Sequence, residues 1–258
     1  MTKTKHTIVA ALIAAAFTSG ALAGSATSPV GPDISLVPKS DLTGSLEVKA
    51  VSNYTFRGQV LDTNLVFAPK LDLAYPLFEG GTLQASVEQL IGTKGSTYSR
   101  SQYDAGLALT VGKFVATPGF QIVAFPGRDS NTAQYLTGRV SFNDAGLLPL
   151  TLNPYVSYAK GVDPKGGSWY EVGVAPSKTF GKLEVTVPVA VGSSSNSYYG
   201  GVNRDLQYAY TSVGVAGTYH VTPRFAVRGS VTGYATDAVL ANASNNFVST
   251  NVGLVVSF

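Results

Sequence analysis

The stretch that decides the fold is NYTFRG, Asn53 to Gly58. Read with a period of two, Tyr54 and Phe56 point one way while Asn53, Thr55 and Arg57 point the other. One face suits an oily surface and the other suits water. If the aromatic face meets protein, the chain is a soluble β-sandwich. If it meets lipid, the chain is a membrane barrel.

Working outward, the same alternation recurs. Runs of about ten residues with alternating polarity are separated by Gly, Pro, Asn or Ser clusters, which is the strand signal of a transmembrane barrel. The runs are Gly44–Gly58, Asn64–Pro76, Thr82–Ile91, Gln102–Lys113, Gly119–Phe125, Ala133–Phe142, Leu150–Ala159, Trp169–Ser177, Lys182–Val191, Tyr208–His220, Arg224–Tyr234 and a last one ending at Phe258. The clearest is KLEVTVPVAV, where Leu183, Val185, Val187, Val189 and Val191 share a face. Twelve strands are expected, an even number that brings both chain ends to one side. Ten remain open if Gly119–Phe142 is partly loop. Tight connections (LFEGG, VATP, FGK, VTP) alternate with longer polar ones such as GSSSNSYYGGVNRDLQ. Short turns on one side and long loops on the other match an outer-membrane up-and-down barrel.

Composition agrees. Charged residues make up 13%, about half the usual share, while the chain has 28 glycines and 14 tyrosines. With no cysteine there is neither a disulfide framework nor a thiolate metal site. The N-terminus reads as a secretory leader: Lys3, Lys5 and His6, an apolar run from Ile8 to Phe17, then Ala21-Leu22-Ala23. Residues 1–23 are therefore expected to be cleaved. Residues 24–43 show neither periodicity and are read as a periplasmic tail or a plug, and residues 44–258 as the barrel. Without Lys3 and Lys5 the remaining basic and acidic residues nearly balance, which argues against a nucleic-acid partner.

On the apolar face, aromatics are expected in two belts, one at each membrane interface. Tyr54, Phe56, Phe67, Tyr103, Tyr158 and Tyr170 form the outer belt. Tyr75, Phe142, Tyr219 and Phe225 belong to the other, with Phe120 and Phe258. The opposite face carries Glu47, Lys49, Arg57, Lys70, Asp72, Glu88, Asp104, Arg139, Glu171, Glu184 and Arg228 among many small residues. A charge facing lipid at mid-depth costs about 2–4 kcal/mol, so this segregation is required of a barrel wall. Twelve strands lined by small and polar side chains leave water-filled space, which is the physical case for a pore. The competing reading is a lumen closed by inward ion pairs. Arg57 is either a charge at the extracellular mouth or a structural arginine paired with a carboxylate. Pro69, Pro154, Pro176 and Pro188 should coincide with bulges, strand ends or register shifts.

No catalytic constellation emerges. After the leader the chain has His220 alone, at a periplasmic turn, and no GxSxG, HExxH or glycine-rich lysine loop. No cofactor or metal is implied. The last strand, FVSTNVGLVVSF, resembles the C-terminal assembly signal of outer-membrane proteins, ending on Phe258, and so implies the barrel-assembly machinery as a partner. Ser52, Tyr54, Phe56, Arg57 and Gly58 resemble the Ser-x-Tyr-x-Phe-Arg-Gly start of the first strand in TorF-type porins, and FPG at Phe125–Gly127 is a second echo. That resemblance implies a small outer-membrane barrel with a channel role and no catalytic residues. The expectation is a passive channel for small hydrophilic solutes embedded in outer-membrane lipid. Its alternatives are a non-conducting surface-recognition barrel and, third, a periplasmic ligand-binding sandwich.

Overall fold

The computed structural model describes residues 42–93, 99–124, 132–147, 150–162, 166–199, 205–237 and 246–258. The leader (1–23), nearly all of the 24–43 segment and the FPG motif lie outside them. In chain order the strands are β1 (Thr43–Ser52), β2 (Tyr54–Phe56), β3 (Gln59–Asp62), β4 (Val66–Phe78), β5 (Gly81–Gly92), β6 (Ser99–Val111), β7 (Phe114–Ala124) and β8 (Thr132–Phe142). There follow β9 (Tyr155–Gly161), β10 (Ser168–Val174), β11 (Ser177–Phe180), β12 (Leu183–Thr186), β13 (Val189–Ser195), a 3₁₀ turn η1 (Asn196–Tyr199), β14 (Leu206–His220), β15 (Phe225–Thr236) and β16 (Asn246–Ser257).

Every sequential neighbour in the wall pairs antiparallel, and β1 pairs with both β4 and β16, which closes the sheet. The wall has 12 strands because β10–β11 and β12–β13 are each one strand interrupted at a proline. Register runs unbroken through both interruptions. The Val187 amide donates to the Pro176 carbonyl at 2.8 Å, and the Gly214 amide to the Pro188 carbonyl at 2.9 Å. Each proline thus loses one ladder bond without losing the wall. Pro69 sits within β4, opposite Val48. The seam is sealed at the chain end, where Gly44 and Phe258 exchange amide-to-carbonyl bonds of 2.8 and 2.9 Å.

The usual inside-out order of a soluble protein is reversed. Outward positions are aliphatic and bare, with Val252 at 58% and Val215 at 55% exposure, while Glu47, Asp72, Glu88 and Arg100 are buried within. Phe67, Tyr103, Tyr158 and Tyr170 lie on the outer parity nearer the loops, and the Tyr158 and Tyr170 rings are 4.8 Å apart. Tyr75, Phe142, Tyr219 and Phe225 lie on that parity toward the turns, joined by Phe114, whose ring is 4.9 Å from Phe142.

Two expectations need correction. The fourth connection is not VATP but Gly112-Lys113, with Gly112 at φ 59 providing the left-handed turn residue. β7 is therefore a full strand carrying Pro118 and Phe120 mid-wall, and the ten-strand option falls away. The larger correction concerns the opening stretch. β1 ends at Ser52, Asn53 turns the chain at φ 49, and Tyr54–Asp62 folds back as a hairpin of its own, β2 against β3. Tyr54 and Phe56 are not belt residues. They point into the barrel.

Candidate functional site: a hairpin across the lumen

The inturned hairpin owes its shape to three residues in the left-handed region. Asn53 is a type that tolerates this region, and its Nδ2 donates to the Val248 carbonyl at 2.7 Å. Arg57 (φ 51) and Gly58 (φ 83) are the two central residues between β2 and β3, the pattern of a type I′ hairpin. A Cβ on Gly58 would overlap the Tyr210 ring, so the tip abuts the β14 wall with no room to spare.

On the near wall the hairpin is packed like a core. Tyr54 is buried with Val51, Val66, Ala68 and Leu90, and Phe56 and Leu61 rest against them. The Tyr54 hydroxyl donates to Glu88 Oε2 at 3.3 Å and accepts from Arg100 Nη1 at 3.1 Å. Glu88 is also paired with Lys49 at 2.7 Å. Arg100, only 1% exposed, lays its guanidinium over Phe56 at 4.0 Å. Thus a buried cation and a buried carboxylate are matched through one phenol, which is what makes their burial tolerable.

On the far wall the tip is held by Arg57. Its Nη2 donates to Gln121 Oε1 at 3.0 Å, and Gln121 Nε2 in turn donates to Asp104 Oδ1 at 2.6 Å. The guanidinium carbon lies 4.6 Å from the Trp169 ring centroid, 4.7 Å from Phe56, 5.3 Å from Tyr198 and 5.4 Å from Tyr135. Below it Glu171 accepts from the hydroxyls of Tyr155 (2.8 Å) and Tyr210. Arg139 lies 3.7 Å over the Tyr155 ring and donates to Ser157 at 3.4 Å.

Two cavities of about 210 and 240 Å³ both touch Arg57, Trp169 and Glu171. The first extends over β5 to β10, past Asp104, Gln121 and Arg139, and the second toward Tyr210 and Tyr234. Each has room for several waters at about 30 Å³ apiece. Arg57, Trp169 and Glu171 are the residues the two cavities share.

The other charges chosen from the sequence are spread along the wall. Among the described residues, Lys70 pairs with Asp72 at 2.7 Å and Arg228 with Glu47 at 3.5 Å. Glu184 lies near the turn end of β12 beside Thr218. His220 ends β14 at the turns and is exposed. No group of three or more metal-capable side chains occurs among the described residues.

Arg100, Gln121, Tyr135, Trp169, Tyr198 and Tyr210 escaped the sequence reading. A signal existed for four of them: Gln121 has the parity of Gly119, Tyr135 that of Arg139, Trp169 that of Glu171 and Tyr210 that of Gly214, so all four had to face inward. Arg100 was lost because the strand was started at Gln102. Nothing local marks Tyr198, which η1 brings to the hairpin.

No family model and no curated protein matches the chain. Solved structures do. The NanC porin matches with TM-score 0.52 at 14% identity, covering 83% of this chain and 98% of that one. An outer membrane channel from Pseudomonas putida F1 matches with TM-score 0.57 at 10% identity, covering 89% and 100%. The fold is an outer-membrane β-barrel. The KdgM porin, solved in complex with disordered oligogalacturonate, matches with TM-score 0.51 at 15% identity, covering 83% and 99%. At these identities the likeness is one of fold.

Proposed function

We propose that the chain is a porin-like outer-membrane channel for passive diffusion of small hydrophilic solutes, narrowed by the Tyr54–Asp62 hairpin. The observation that carries this reading is a polar, charge-bearing lumen retained inside a closed wall, with two water-sized cavities that both border Arg57. A barrel that only had to stand in the membrane could fill its interior with ion pairs. Here Arg139 is exposed to the lumen, and among the described residues no carboxylate lies within ion-pair distance of it.

The pore lining on this reading is Lys49, Lys70, Asp72, Glu88, Asp104, Arg139, Glu171, Glu184 and Arg228 from the wall, with Arg57 from the hairpin. Both signs are present, which favours weak ion selectivity. The outer aromatics anchor the wall in outer-membrane lipid, and the strand ending at Phe258 is the handle for barrel assembly. Export through a cleaved leader (1–23), a periplasmic tail or plug at 24–43 and kinship with TorF-type porins complete the proposal.

The second reading is a barrel kept shut by its hairpin, with a role at its loops. It is favoured by the apolar packing of Tyr54, Phe56 and Leu61. Swelling of liposomes bearing the folded protein separates the two. Influx of pentoses and hexoses that falls off for trisaccharides supports the channel, and swelling no faster than protein-free liposomes contradicts it.

A further inference from the structure

The far-wall partners of Arg57 form a receptor in their own right. Trp169 and Tyr135 come from β10 and β8 and Tyr198 from η1, with the Tyr135 and Tyr198 rings 5.2 Å apart. Trp169, 6% exposed, and Tyr198, 8% exposed, are packed with Tyr210, Ala159 and Ala209, so the box is part of the wall's buried framework. Its chemistry is of one kind. Three ring faces, the Gln121 carbonyl oxygen and, across the same cavity, the Glu171 carboxylate all present electron density. Such a set receives a cation.

Its present occupant is the protein's own guanidinium. Arg57 lies over the Trp169 ring and donates to Gln121, which are the two demands a planar, multi-donor cation makes. The hairpin carrying it is anchored independently on the near wall by Tyr54 and Leu61.

We propose that Tyr135, Trp169, Tyr198 and Gln121 are a lumenal binding site for guanidinium-bearing solutes, masked in this structure by Arg57 acting as a tethered ligand. Such solutes and the hairpin tip compete for one site. This goes beyond the channel reading and does not require conduction.

Trp169 is the chain's sole tryptophan, so its fluorescence reports the box directly. The test uses the full barrel folded in detergent, with folding checked by heat-modifiable mobility, as wild type and as Arg57→Ala. Methylguanidinium chloride is titrated against potassium chloride at equal ionic strength. In Arg57→Ala the emission shifts to the red, and methylguanidinium changes it saturably with at least tenfold tighter half-saturation than in wild type. Adding Tyr135→Leu to Arg57→Ala weakens that response several-fold. If Arg57→Ala does not fold, Arg57→Met, similar in length and uncharged, carries the same expectations. Three results overturn the proposal: no saturable response in the Arg57 variant, the same response to potassium, or a response that Tyr135→Leu leaves untouched.

Discussion

Gly58 is where the backbone leaves no alternative. It sits at φ 83, and a Cβ there would run into the Tyr210 ring. Gly58→Ala should therefore destabilise the folded barrel by about 1–2 kcal/mol through strain and displaced packing, read as a lower denaturant midpoint in detergent. A matched Gly138→Ala change, which meets open space, should be close to neutral. At this scale the sequence reading succeeded wherever parity alone was needed. Lys49, Glu88, Asp104 and Glu171 all face inward, because alternation within a strand leaves a residue only two faces to choose from. It failed at Tyr54 and Phe56 for a definite reason. Alternation tells which face a residue takes, but not whether the strand continues in the wall. Asn53 in the left-handed region ends β1, and the same alternation then resumes inside the barrel.

Among the elements, Pro176 and Pro188 fall at strand ends as expected, interrupting the wall without shifting register, whereas Pro69 lies inside the unbroken β1–β4 ladder. The misplaced VATP turn has the opposite origin. Pro118 and Gly119 look like turn residues, yet they sit mid-strand in β7, while the turn needed only Gly112 and Lys113. The connection from β8 to β9 is held by a device that only the folded chain displays. Asp144, buried at the turn end, accepts the Leu152 amide at 2.8 Å and the Asn153 amide at 2.9 Å. Those two backbone donors hold its carboxyl below the usual range. A folded-state value below the unfolded one of about 3.9 means the stabilisation is present above that pH and fades as pH falls through the lowered value. Asp144→Ala should accordingly lower the thermal unfolding midpoint at pH 7. Scans at descending pH should show the gap from wild type narrowing below about pH 4.

On the proposed reading the whole molecule is a wall with lipid outside and water inside, and substitutions should obey that geometry. Val252→Arg, on the bare outer face, should cost about 2–4 kcal/mol in lipid if it lies near the midplane. Ser230→Arg, on the inward parity opposite Asn251, should cost far less, as unfolding titrations in bilayers will tell. The twelve-strand closure could be read from the chain because a repeated ten-residue alternation has few architectures open to it. The far side of the constriction could not. Gln121, Trp169 and Tyr198 come from separate elements, and only closure of the barrel brings them around Arg57.

The central claim is that the lumen conducts and that the Tyr54–Asp62 hairpin sets its width. It is tested most directly by single-channel conductance in planar bilayers, comparing the folded wild type with a variant in which residues 54–62 are replaced by a short Gly-Ser linker. Reproducible ohmic steps in the wild type, growing several-fold in the shortened variant, are the expected result. Equal steps in both would contradict the hairpin as the constriction, and silence from both inserted barrels would contradict the channel itself.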